Sequence, residues 1–367
     1  MIIPIKPWLE LAESSGGVKG FGFERGMVAS GLCLAADVER ESLIRDGSIS
    51  WGNNTELGIT DRMEFYHEPI MGAEILSYLQ PIDGKQIFDG TLGGGGHAEM
   101  FLREGAHVIG CDQDGGAIEH AASRLAVYGD QFLPVRGNFS EMDSLLAGIG
   151  VDAVDGILLD LGVSSRQLDD ISRGFSFRGE AELDMRMDDR ATFTAKELVN
   201  EWPEAELIRI FRDYGEERRA VRAAKVIVAA RQEKPIETTT ELVAVVGRAI
   251  PKTGPKNPAT RVFQAIRIAV NRELEVLETA LEESLKVLAP GGVLAVITFH
   301  SLEDRMVKQF MHRRSNPFID RPEWPEPREN PDYAFTQPSR RAISPSEEEI
   351  ASNPRARSAK LRVAVRV

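Results

Sequence analysis

Cysteine is nearly absent from this chain of 367 residues, which holds only Cys33 and Cys111. Two distant thiols make neither a disulfide framework nor a zinc-binding pair. The six histidines (His67, His97, His107, His120, His300 and His312) are scattered, with none four positions from another, so no built-in metal site is expected. Long apolar runs are lacking too: no window approaches the roughly 18 residues of a membrane-spanning helix. The first residues, MIIPIKPWLELAESSGG, lack the basic start, apolar stretch and cleavage site of a secretion signal, and the expected location is the cytoplasm. Nor is there a basic excess, with 44 Lys and Arg against 57 Asp and Glu and a net charge of −13. That excludes an evenly basic nucleic-acid binder unless the charge is segregated along the chain.

What is present is enough apolar material for a large core: 42% hydrophobic and 28% charged residues, an ordinary globular composition. At roughly 150 residues per domain the length suggests about two domains. Residues 1–62 stand apart. They hold Trp8 and Trp51, many glycines and no sustained periodicity, and are expected to be an extension or to precede a true start at Met63. From Met63 apolar runs alternate with helical patterns, the rhythm of a parallel sheet with crossover helices. Strands are expected at 85–89, 107–111, 131–136 and 154–159, with helices at 98–104 and 114–128. After Asp160 the rhythm breaks, and helical patterns follow at 195–201, 203–214, 216–232, 239–249 and 258–288. A strand returns at 292–299, and final strands are expected at 334–342 and 360–367 with a proline-rich loop, 316–331, before them. This reads as an α/β, Rossmann-like sheet with an inserted, mostly helical domain, divided as 1–62, 63–171, 172–262 and 263–367.

A glycine cluster, Gly90 to Gly96, follows the first strand, where missing side chains let a ligand approach the backbone. Asp112 ends the next strand about 20 residues later, where a carboxylate can take both ribose hydroxyls of a nucleoside cofactor. Nicotinamide dinucleotides and S-adenosylmethionine share this arrangement. The details favour the second, because a pyrophosphate site needs the turn to open directly into a helix, whereas His97 follows four glycines. Phe139, after the third strand, is either an adenine face or a core aromatic.

Asp160 ends the fourth strand beside the cofactor crevice expected of such sheets. A carboxylate there can accept a hydrogen bond from an exocyclic amine, leaving the nitrogen lone pair free for a methyl group; the work is positioning. Ser164 and Ser165 add hydrogen-bonding groups. The alternative is an acid that caps the local turn. No cysteine stands near this strand, which excludes carbon-5 methylation of a pyrimidine through a thiol nucleophile.

These blocks resemble one family, the bacterial 16S rRNA cytosine-N4 methyltransferases known as RsmH or MraW. The resemblance is carried by His67-Glu68-Pro69-Ile70, the turn from Asp89 to His97, Asp155 to Gln167, Gly174 to Arg178, Leu183 to Asp188, Asn257 to Leu274, Phe299 to Arg305 and Asn353 to Ala364. It implies a two-domain class I S-adenosylmethionine-dependent enzyme that methylates one cytidine of the decoding centre. It further implies cofactor contacts at Gly95, Gly96, His97, Asp112, Phe139, Asp160 and Gln167, the last from the resemblance alone.

An acidic chain can still hold RNA if its cations are clustered. Arg248, Lys252, Lys256, Arg261, Arg267 and Arg272 fall in a stretch with no acid, Arg218, Arg222 and Lys225 share helical spacing, and the last sixteen residues hold five cations and no acid. Arg261 and Arg267 are therefore candidate RNA contacts. Phe175, Phe177 and Arg178 offer either a stacking surface for an unstacked base or a hydrophobic plug, and His300, Ser301, Glu303 and Asp304 are expected to line the base pocket. The competing readings are an NAD-dependent oxidoreductase and a non-catalytic assembly factor of the small ribosomal subunit.

Overall fold

The computed structural model describes residues 69–177, 179–252 and 257–367. The expectations for residues 1–62 and for Arg178 lie outside the described residues. In chain order, α1 (Gly72–Leu79), β1 (Gln86–Asp89), α2 (Gly96–Arg103), β2 (His107–Asp112), α3 (Gly115–Leu125), β3 (Phe132–Arg136), α4 (Met142–Gly148) and β4 (Val154–Asp160) form the first part. Six helices follow a short one: after α5 (Ser165–Asp169) come α6 (Ala195–Glu201), α7 (Glu204–Asp213), α8 (Ala220–Glu233), α9 (Thr239–Gly247), α10 (Thr260–Asn271) and α11 (Glu273–Val287). The chain then returns through β5 (Leu288–Thr298), α12 (Ser301–Arg314), β6 (Phe318–Ile319), β7 (Arg328–Glu329), β8 (Phe335–Thr336), α13 (Glu347–Ser352) and β9 (Lys360–Arg366).

Seven strands make one sheet in the order β3-β2-β1-β4-β5-β9-β8. β1 to β5 pair in parallel, and β9 and β8 add antiparallel at one edge. The strands are apolar because both faces are covered. Successive side chains point to opposite faces, so Phe88 and Leu159 enter one core with Leu281 and Phe310, while Ile87 and Leu158 enter the other with Ile75 and Phe101. The chain builds outward from β1 through β2 and β3, then restarts on the other side at β4. That reversal opens a crevice at the carboxyl ends of β1 and β4.

Helices α6 to α10 surround a third core, which includes Leu198, Leu207, Phe211, Ile227, Leu242 and Ile266. Thr194 and Thr238 start α6 and α9 with reciprocal caps to Glu197 and Glu241, which satisfy amides that the first turn leaves open. The run 258–288, continuous in sequence, is two helices. Arg272 adopts a left-handed φ of 51° between α10 and α11 and turns the chain back toward the sheet.

The helix expected at 98–104 begins earlier, at Gly96 with Gly95 as its N-cap, so the glycine turn does open directly into a helix and that feature does not separate the two cofactor classes. Other expectations change at the edges. The strand expected at 334–342 shrinks to β8, and the loop expected at 316–331 contains the β6–β7 hairpin. There Trp324 lies between the guanidinium groups of Arg321 and Arg328, 5.0 and 4.6 Å from its ring centroid. Short segments rich in proline carry little periodicity, so such pairing was invisible in the sequence. Among the described residues no helix is long and apolar enough to cross a membrane.

Candidate active site

The crevice is a cleft of about 750 Å³ lined by Thr91, Gly93, Asp112, Phe139, Asp160 and Gln167, together with Met187, Asn271 and Glu273 from the helical segment. Its volume lies within the usual range for a cofactor-sized ligand.

One wall is the glycine turn. Gly93 (φ 50°) and Gly95 (φ 78°) take left-handed conformations that favour glycine. Gly93, Gly94 and Gly96 line the cleft. Gly95 does not: a Cβ there would come within 3.0 Å of Leu125, so its small size serves the packing of α2 on α3 rather than ligand access. Gly93 lies at the ribose end of the turn. Its amide donates to Asp112 Oδ2 at 2.8 Å, and the amide of Asp114 donates to Oδ1 at 2.9 Å. Burial pushes the Asp112 pKa up to about 6 against the pull of these amides, which leaves a carboxylate of fixed orientation at neutral pH, with lone pairs to spare.

Asp160 forms the floor. Its backbone N–H donates to Thr91 Oγ1 at 2.6 Å, its side chain is 24% exposed, and Oδ1 has no hydrogen-bond partner. Burial, then the negative charges of Asp89 and Glu303, raise its pKa to about 8. Asp89 is buried as well, with one oxygen accepting from the Thr91 amide and the other unpartnered. Burial lifts it to about 7. Two poorly solvated acids of like charge near one another each disfavour ionisation of the other until a cation or donor arrives. His97 closes the floor: its Nε2 lies 3.0 Å from the Ile70 carbonyl, its Nδ1 3.9 Å from Asp160 Oδ2, and burial pulls its pKa down to about 4. The ring is neutral.

After β4 the chain turns into α5 through a reciprocal cap. Ser164 Oγ accepts from the Gln167 amide at 3.1 Å, and Gln167 Oε1 accepts from the Ser164 amide at 3.0 Å. The Ser164 hydroxyl is thus engaged in folding the turn, although both it and the exposed Ser165 line the cleft. Gln167 Nε2 donates to Asp114 Oδ2 at 3.3 Å. Cys111 is fully buried, donates to the Gly137 carbonyl at 3.3 Å, and has its thiol pKa pushed up by burial. It is no nucleophile for this cleft.

Several expected substrate contacts lie elsewhere. Phe175 is buried in the third core, and Phe177 packs edge-on against Phe263 with centroids 5.6 Å apart. Phe175 enclosed in that core and Phe177 half-buried against it fit the plug rather than an open stacking surface. Arg267 lines the cleft but is held at Nε and Nη2 by the two Glu273 oxygens, at 2.8 and 2.7 Å, which compensates its charge inside the protein. Arg261 is exposed outside the cleft and donates to the Glu216 carbonyl. His300 caps α12 in a reciprocal arrangement with Glu303, and Ser301 donates to Glu216 Oε2 at 2.6 Å. Of that group Glu303 and Phe299 reach the cleft, and His300 and Ser301 do not. Glu273, His300 and Glu303 bring possible ligand atoms within 4.8 Å of one another, but Glu273 is already paired with Arg267, and Glu303 with the His300 ring and the Phe299 amide. Sequence reasoning passed over Asp114, Arg173, Met187 and Asn271. The alternation of apolar and charged residues in Leu183 to Asp188 was the available signal.

Residues 64–367 match the MraW methylase family. The chain belongs to that family. Among its relatives, the ribosomal RNA small subunit methyltransferase H of Carboxydothermus hydrogenoformans is 49% identical over 305 residues, 82% of this chain and 98% of its own. The protein of the same description from Geobacter sulfurreducens is 49% identical over 314 residues, 82% and 99% of the two chains. Among solved structures, an rRNA methylase from Streptococcus thermophilus superposes with a TM-score of 0.37 at 11% identity, covering 80% of this chain and 95% of its own. The MraW match takes in both the glycine turn and the helices between β4 and β5.

Proposed function

We propose that the protein transfers a methyl group from S-adenosylmethionine to the exocyclic N4 amine of one cytidine in the decoding centre of 16S rRNA, within the small ribosomal subunit. The observation that carries this reading is a cleft with two acids in different states. Asp112 is oriented by two amides at the end of β2, suited to a pair of ribose hydroxyls. Asp160 has a partly open side chain at the end of β4, suited to an amine donor. The relatives' description as small-subunit rRNA methyltransferases supports the substrate class.

S-adenosylmethionine, when bound, supplies an electrophilic methyl on sulfur. Gly93, Gly94 and Gly96 leave backbone space for it, Asp112 accepts from its ribose, and Phe139 covers its base. Asp160, next to a neutral His97, accepts a hydrogen bond from the target amine and holds the lone pair in line, a positional contribution rather than covalent catalysis. The proton released after transfer leaves to water or to the high-affinity carboxyl of Asp160. A target base reaches this floor only out of its stack.

The test is transfer of labelled methyl from S-adenosylmethionine to small subunits that lack their own cytidine methylation, followed by nucleoside analysis. N4-methylcytidine is expected with the parent protein and not with Asp160→Ala. Tight subunit binding with no incorporation would instead favour an assembly factor, and preferential binding of NAD an oxidoreductase.

A further inference from the structure

The segment Leu183 to Arg190 crosses between the helical core and the cleft. Its alternate residues Leu183, Met185 and Met187 are buried in that core, while Asp184, Arg186 and Asp188 face away from it with their charges paired locally, Asp184 to Arg186 and Asp188 to Arg190. Met185 holds a left-handed φ of 60°, a conformation that a non-glycine residue keeps only when its surroundings enforce it. The enforcement comes from Asn271, which accepts from the Met187 amide at 2.7 Å and donates to the Met185 carbonyl at 2.8 Å. Met187 itself lines the cleft.

Two arginines tie this strap to the cofactor side. Arg136, directly across from Asp112 in the β2–β3 register, pairs with Asp189 and lies 3.6 Å from Asp188. Arg173 does more. Its Nη1 donates to Asp114 Oδ2 at 2.8 Å, and its Nη2 donates to the carbonyls of Arg186 and Met187 at 3.0 and 3.3 Å. The same Asp114 oxygen receives Gln167, and the Asp114 amide holds Asp112. Burial alone would raise the Asp114 pKa, but Arg173 keeps it below the usual carboxylate value, so the pair stays charged. A continuous set of hydrogen bonds thus runs from Asp112 through Asp114 and Arg173 to the backbone of the strap.

We infer that Arg173 is a positioning residue that couples occupancy of Asp112 by a nucleoside to the seating of the strap 183–190 over that end of the cleft. The inference rests on the cofactor reading above. A planar fork that serves one carboxylate and two carbonyls has no equivalent in lysine, which is a point charge.

The test compares the parent protein with Arg173→Lys and Arg173→Met, using S-adenosylhomocysteine as probe. Calorimetry gives Kd, tryptic cleavage after Arg186 and Arg190 reports the strap, and subunit methylation gives KM and kcat. In the parent, the probe should slow strap cleavage. Arg173→Met should lose that protection and weaken binding about tenfold or more, the value of charge-assisted bonds, with kcat at saturating S-adenosylmethionine within about threefold. Arg173→Lys keeps the charge beside Asp114 and safeguards folding; it should still lose protection. Unchanged Kd and unchanged protection in Arg173→Lys would overturn the inference, as would an equal loss of kcat and affinity in both variants. Failure of the parent to bind the probe at all would instead bring down the cofactor reading.

Discussion

Acids at the ends of β1 and β4, Asp89 enclosed beneath the cleft and Asp160 on its floor, and acids in the helical segment sit in opposite circumstances. Asp89 and Asp160 are poorly solvated and lack a cationic partner for an orphaned oxygen, and their pKa values rise to about 7 and 8. Glu241 caps a helix and meets Lys234, which lowers it to about 2, and Asp188 is lowered by Arg190. The helical segment arranges its charges for its own stability. The cleft floor does the reverse, and an uncompensated acid is a cost that folding alone gives no reason to keep. The difference locates the work of the molecule at the ends of β1 and β4.

The comparison can be broken at its strongest point with Asp160→Asn. Methyl transfer should fall by at least about 100-fold, since an amide cannot accept from the amine as a carboxylate does while excluding the wrong orientation. The same substitution should stabilise the empty protein. A raised folded pKa means that the acid favours folding fully below its unfolded value, near 3.8, and that this support is lost as pH rises through about 8. The variant's gain in Tm over the parent should therefore be near zero at pH 4, grow toward pH 8 and then level off. A scan of thermal denaturation against pH, with a gain that fails to grow, would remove the claim that the floor is strained by its charge.

Asp112→Ala should have the next largest effect, on affinity rather than rate. S-adenosylhomocysteine should bind about 10- to 100-fold more weakly by calorimetry, as expected for loss of a charged acceptor of two hydroxyls, with a much smaller change in kcat at saturation. Below about pH 6, where Asp112 takes up a proton, the parent should weaken in the same sense.

The helical segment should give the smallest response. Glu241→Gln keeps the side-chain oxygen for the cap and removes an exposed ion pair, so denaturant titration at neutral pH should find a loss of no more than about 1 kcal/mol. Its lowered pKa puts that contribution above the unfolded carboxylate value and removes it as pH falls through about 2. A larger loss than in Asp112→Ala would reverse the ranking of the two regions.

Much of the sheet was legible because a parallel strand covered on both faces is a nearly unbroken apolar run, as in the central strands β1, β4 and the second half of β5, whereas β3 at the edge is half open. The acids that end β2 and β4 were legible for a related reason: in such sheets the position after the strand is also the position at the crevice. Legibility failed where a second segment decides the outcome. Phe175 and Phe177 could be read either as a base platform or as a plug, and the sequence could not choose because the deciding partner is distant: Phe263, from α10, takes Phe177. Arg267 looked like a phosphate contact because its charge was counted without Glu273, its partner across the break at Arg272. Asp114 and Arg173 are 59 positions apart, and nothing local announces their pairing.

Cys111 gives the cleft a clock. Its sulfur is fully enclosed one residue before Asp112, bonded to Gly137 beyond β3, with a thiol that burial keeps protonated. A thiol reagent can reach it only when the core that it shares with Met142 and Leu146 of α4 opens, so the labelling rate at this residue, followed by peptide mass, measures how often the sheet face behind the ribose end of the site opens in the folded protein. A ligand held by Asp112 should slow that rate, and it would do so without any RNA present.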